Sequence, residues 1–101
     1  MSRFLNSAQI STLQKNVTTS GTPVQLDALT IPEGASLTVK AKNGNTGSIT
    51  IGGTSAQSLN SGTGFFRLLP NQSITVQVTD ASAVWIDSTV SGEGIEGVVE
   101  Y

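Results

Sequence analysis

Asp80 with Asp87, and Glu93 with Glu96, are the pairs whose type and spacing could do acid–base chemistry. Two carboxyl groups facing each other across a sugar-binding cleft, one of them kept protonated, would hydrolyse a glycosidic bond. All four fall in predicted turns or on the solvent side of predicted strands, and no aromatic cleft accompanies them. The chain has no histidine and no cysteine, which removes the Ser/His and Cys/His nucleophile pairs and every imidazole- or thiolate-ligated metal. A calcium loop would need oxygen ligands at a spacing such as DxD, and none occurs. The expectation is a non-enzymatic protein with no cofactor and no metal.

Other motifs dissolve in the same way. Gly92, Gly94 and Gly97 match GxGxxG, but that fingerprint requires a following helix within a βαβ unit. Only four residues follow it, so the glycines are assigned to a turn and the start of a strand. Asn16-Val17-Thr18 and Asn71-Gln72-Ser73 match the glycosylation sequon. The opening MSRFLNSAQ has no apolar signal region, so both are read as turn and strand residues. Five Lys and Arg against seven Asp and Glu give a net charge of −2. The basic residues Arg3, Lys15, Lys40, Lys42 and Arg67 are scattered, so no nucleic-acid footprint is expected. No run approaches the length of a membrane span, and the expectation is a soluble chain made in the cytoplasm.

The elements that would hold these residues follow from alternation and turn chemistry. Residues 1–9 carry Phe4 and Leu5 among polar residues and are read as an N-terminal arm. Ile10, Leu13 and Val17 are spaced for a short helical turn, whereas Asn16, Val17, Thr18 and Thr19 favour a strand. Val24 and Leu26 alternate about Gln25 after a Ser20–Pro23 turn. Pro32, Glu33 and Gly34 mark the next turn. Leu37, Val39 and Ala41 then face one way and Thr38, Lys40 and Lys42 the other, the pattern of a sheet with one wet side.

Asn43-Gly44 is a strong hairpin signal, since a type I′ turn needs positive φ at both central residues. A competing turn lies at Asn45, Thr46 and Gly47, and either predicts that Ser48–Ile51 returns antiparallel to the preceding strand. After Gly52-Gly53 a polar loop is expected over 54–64. Two adjacent phenylalanines, Phe65 and Phe66, must face opposite sides of a strand. One of them is a candidate interface residue, against the plainer reading of one in the core and one beneath the preceding loop. Leu69-Pro70-Asn71-Gln72 reads as a β-turn, after which Ile74, Val76 and Val78 resume the core side. Asp80–Ala83 is another turn, Val84–Ile86 a short strand carrying the only tryptophan, Trp85, and 95–101 a last strand.

Serine and threonine number 26, glycine 11, and 12% of residues are charged, a composition that favours strands and turns over helix. One core is all that 101 residues can support. The fold class is therefore all-β, a single antiparallel β-sandwich or jelly-roll-like barrel of about eight short strands over 10–101, with a flexible arm at 1–9. With no disulfide to staple so small a domain, self-association is expected.

The succession GTPVQL, IPEGASLTVKA, NTGSITIGG, a polar loop, GFFRLLPNQSITVQV, AVWI and GEGIEGVVEY resembles the small β-sandwich virion proteins of tailed bacteriophages. It spans about residues 20–101. Asn45-Thr46-Gly47 leading to Ile49–Gly53, and Gly64-Phe65 leading to Leu69-Pro70, are its most specific parts. Glycine usually follows that proline, and Asn71 stands there instead. The resemblance implies a capsid decoration protein bound to the major capsid protein on the outer surface of the shell, as a homo-oligomer with a trimer favoured. Phe4 and Leu5 are then candidate capsid contacts. Phe65, Phe66, Trp85, Asn43, Gly44 and Asn45 are candidate interface residues. The alternative is a receptor- or carbohydrate-binding module of a tail or fibre, with Trp85, Asn60 and Asn71 as contacts.

Overall fold

Alternation becomes strand wherever one side of the chain can be buried. In a computed structural model that describes residues 10–59 and 66–100, Leu37–Ala41 forms a strand whose Leu37, Val39 and Ala41 are buried while Thr38 and Lys40 are half-exposed. In chain order the described strands are β1 (Ile10–Asn16), β2 (Val24–Gln25), β3 (Leu37–Ala41), β4 (Ile49–Gly52), β5 (Phe66–Leu68), β6 (Ser73–Val76), β7 (Trp85–Ser88) and β8 (Gly94–Glu100). A single-turn helix, α1 (Ser55–Ser58), follows β4, and a 3₁₀ turn, Ala81–Ala83, precedes β7. The segment from Ile10 is strand rather than a helical turn, but it ends at Asn16, and Val17, Thr18 and Thr19, whose types favoured strand, lie beyond it.

Two four-stranded sheets result, one ordered β1-β8-β3-β6 and the other β2-β7-β4-β5. Every pairing is antiparallel. First strand lies beside last, second beside seventh, third beside sixth and fourth beside fifth. This is a long double strand rolled up so that its halves face each other, the jelly-roll form of a β-sandwich. The inner faces supply an aliphatic core that includes Val17, Leu26, Leu37, Val39, Ile49, Ile86, Ile95 and Val99, each 2% exposed or less. Burying such a side chain contributes about 1.5–3 kcal/mol. Neither described aromatic belongs to this core.

The hairpin expected at Asn43-Gly44 is not formed. The Asn45 N–H donates to the Lys42 carbonyl at 3.1 Å, so a turn does stand there. Asn71 is the one described non-glycine residue with positive φ, and Gly44 is not among the positive-φ glycines, which excludes type I′. β3 and β4 therefore do not pair: the turn hands the chain from one sheet to the other. Residues distant in sequence drive the switch. The buried Asn45 amide donates to the Gly94 carbonyl at 2.8 Å, and its Oδ1 accepts from the Gly94 N–H at 3.3 Å.

A second correction concerns 54–64, where a plain loop was expected. Ser55–Ser58 forms one helical turn, and Thr54 caps it by accepting from the Gln57 N–H. Gln57 reaches back to accept from the Gly53 N–H at 2.9 Å, so the two side chains bond N–H groups reciprocally in the manner of a capping box. The expected turn at Leu69–Gln72 is present, with a 2.9 Å bond from the Gln72 N–H to the Leu69 carbonyl and Asn71 at φ 71°.

Candidate functional site

The turns at Lys42–Asn45, Leu69–Gln72 and Thr89–Glu93 gather at one end of the sandwich. β3 ends there and β6 and β8 begin there. Ala41 ties two of the turns together, donating to the Gln72 carbonyl at 2.9 Å and accepting from the Asn71 N–H at 3.1 Å. Glu93 fastens the third. Its carboxylate accepts from the Gly47 N–H at 2.9 Å, from the Thr46 N–H at 2.7 Å and from the Thr46 hydroxyl at 2.8 Å. The Gly47 and Thr46 bonds hold the Glu93 carboxyl below the usual carboxylate range against an opposing desolvation. This braced end presents Asn43, Gly44 and Asn71 to solvent, with Leu69 53% and Val90 38% exposed.

The sequence-predicted residues are not brought together. Asn43 and Gly44 stand exposed at the turn end, while Asn45 beside them is turned inward as described. Phe66 opens β5 opposite Ile51 and is 52% exposed. Trp85, paired with Gly52 and Gln25, is half-buried on the outer face of the second sheet. By strand alternation Phe66 shares the side of Leu68, which is buried, so the two aromatics lie on opposite faces of that sheet. Phe4, Leu5, Phe65 and Asn60 lie outside the described residues.

The carboxylates that could have formed acid–base pairs are engaged separately. Asp80 caps the 3₁₀ turn, accepting from the Ser82 N–H at 2.9 Å and the Leu29 N–H at 3.0 Å. Those bonds, led by that of Ser82, lower its pKa. Asp87 is fully buried and accepts from the Gly21 and Ser88 N–H groups. Glu96 pairs with Lys40 at 3.2 Å on the outer face of the first sheet, away from the Glu93 cradle. Among the described residues no cluster of three or more His, Cys, Asp or Glu could hold a metal ion, and no helix is long and apolar enough to cross a membrane.

Two features escaped sequence reasoning. One is the Glu93 cradle, whose donors lie about fifty residues away and leave no local signal. The other is a shallow groove of about 810 Å³ across the outer face of the first sheet, lined by Thr12, Gln14, Thr38, Lys40, Glu96 and Val98 among others. Its hydroxyl and amide groups could have been found from the outward positions of three alternating strands, had their order been known. No family model matches the chain, and neither a curated protein nor a solved structure matches it.

Proposed function

We propose that this chain is a non-enzymatic structural protein of a bacteriophage particle, binding the outer surface of the capsid as a decoration protein that reinforces the shell. The observation that carries the reading is how the polar groups are used. Asp80, Asp87, Glu93 and Asn45 serve turns and strand ends, whereas the exposed features are contact groups: Leu69, Phe66 and Ile10. The resemblance of residues 20–101 to small phage virion proteins supplies the setting. A shell presents many equivalent sites, so modest contacts per copy suffice once several copies act together.

The test is the copy number of this chain in purified virus particles, measured against the major capsid protein by quantitative mass spectrometry. Copies by the hundred support decoration. A dozen or fewer would move the protein to a neck, tail or vertex, and none would end the virion reading.

The outer-face groove favours a second reading, a carbohydrate- or receptor-binding module. Threonine and glutamine side chains beside the Lys40–Glu96 pair are groups that hydrogen-bond sugar hydroxyls. Glycan-array binding lost on Gln14→Ala would support it, and an array without hits would remove it.

A further inference from the structure

Antiparallel sheets end in strands whose outer N–H and C=O groups lack a neighbour, and proteins ordinarily blunt such edges. Among the described residues three of the four edges are short. β2 has two residues, β5 three and β6 four. β1 has seven, without proline, and pairs with β8 residue for residue from Ile10 to Asn16.

The direction of its main-chain groups is fixed by one bonded position. Val17 donates to the Glu93 carbonyl at 2.8 Å and accepts from the Gly92 N–H at 2.7 Å, so both its groups point toward the β8 side. Alternation sends those of Ser11, Leu13 and Lys15 the same way, and turns those of Ile10, Thr12, Gln14 and Asn16 to the edge that no other described strand covers. The 3.1 Å bond from the Lys42 N–H to the Gly94 carbonyl places β8 in the matching phase on its other side.

We infer that β1 is a self-association edge whose occupant is β1 of a second copy, joined antiparallel about a two-fold axis at Leu13. In that register Ile10 stands opposite Asn16 of the second copy and Thr12 opposite Gln14, so all four outward positions meet outward positions. Up to about eight hydrogen bonds form. Leu13, half-buried on the inner side, meets its own counterpart.

Charge fits this occupant. Lysine is a common edge guard, but Lys15 is held at 2.9 Å by Asp27 of its own chain and faces Ser11 of the second copy. The Lys42 Nζ reaches across β8 to β1, 2.9 Å from both the Gln14 and the Asn16 side-chain oxygens. Asn16 is about 10 Å, two strand spacings, from Glu100 of the second copy. Opposite charges thus approach twice per dimer, and no like charges face each other along the seam. The Thr12–Gln14 side of each groove would join its twin into a trough across eight strands. The area is small for a stable complex, so the dimer is expected to dissociate in the micromolar range or above.

The pairing does not depend on where the protein acts, and it separates from the trimer that the phage resemblance implies, because a two-fold seam at one edge closes with two copies. Analytical ultracentrifugation of the full chain between about 5 µM and 1 mM tests it. The expected result is a monomer that becomes a dimer as concentration rises. Thr12→Pro removes an N–H that the ladder to β8 does not use, and should raise the dissociation constant at least tenfold with the thermal transition retained. Should proline unfold the chain, the double substitution Thr12→Lys with Gln14→Lys places ammonium groups face to face along the seam and should have the same effect. Lys42→Glu should weaken the dimer and Glu100→Lys added to it should restore it. A monomer at every concentration, a trimer, or a dimer that both folded edge variants leave intact would overturn the inference.

Discussion

The outer faces of the two sheets are built from similar residues and treated in opposite ways. On the β2-β7-β4-β5 sheet, Thr50 and Asp87 are fully buried. α1 lies over them: the Thr50 hydroxyl donates to the Ser58 carbonyl, and an added Cβ at Gly52 would come within 2.6 Å of Gln57 Cβ and 2.8 Å of the Ser58 nitrogen. On the β1-β8-β3-β6 sheet, Thr38 bonds Thr75 at 3.0 Å in the open and Lys40 pairs with Glu96 beside solvent. A threonine is thus a structural bond on one face and a surface group on the other. The difference assigns stability to the capped face and leaves the open face and its β1 edge for contact.

The largest effect should come from forcing the cap apart. Gly52→Val on the capped sheet is expected to lose about 3 kcal/mol, the upper part of the overpacking range, because backbone of α1 must move. Urea unfolding measures it, and a loss near zero would show that α1 is not packed on β4. The matched pair of Thr50→Val and Thr38→Val sharpens the contrast. The first should cost about 1–2 kcal/mol, since it leaves the Ser58 carbonyl without its donor, and the second should stay within about 0.5 kcal/mol. Equal losses would erase the distinction between the faces.

Acid should act next, through groups that belong to neither outer face. Glu93 and Asp80 have lowered native pKa values. Their contribution is present in full above the ordinary carboxylate pKa of about 4 and is lost as pH falls through the lowered native values. Melting temperature should fall as the pH is taken below about 4. Glu93→Gln should lower it at neutral pH and flatten that slope, and an unchanged slope would remove Glu93 from the account. A small effect is again expected on the open face, where Glu96→Gln breaks an exposed ion pair with Lys40 and should change stability by less than about 0.5 kcal/mol.

Much of the fold was legible because half-buried strands announce themselves. Leu37–Ala41 and 95–100 alternate as they must when one side meets a core and the other meets water. Proline and Asn71 at Leu69–Gln72 specified a turn that needs no distant partner. Asn43-Gly44 was different. The pair marks a reversal of the chain but cannot say whether the next strand joins the same sheet, and that was decided by Asn45 with Gly94 and by Glu93 with Thr46 and Gly47. α1 was hidden because one turn has no periodicity, although Thr54 followed three residues later by Gln57 was its capping signature. Of the candidate contacts, Asn43, Gly44 and Phe66 stand exposed. Asn45 does not, since a side chain that bonds the backbone of another strand has the same composition as one that waits for a partner.

The division between a capped and an open sheet is tested most directly by amide spectra of the isotope-labelled chain recorded as it is concentrated. The account predicts shifts that grow at Ile10, Thr12, Gln14 and Asn16 and at Lys42 and Glu100, with Thr50, Asp87 and α1 unmoved. Shifts centred on the capped face, or none along β1, would contradict it.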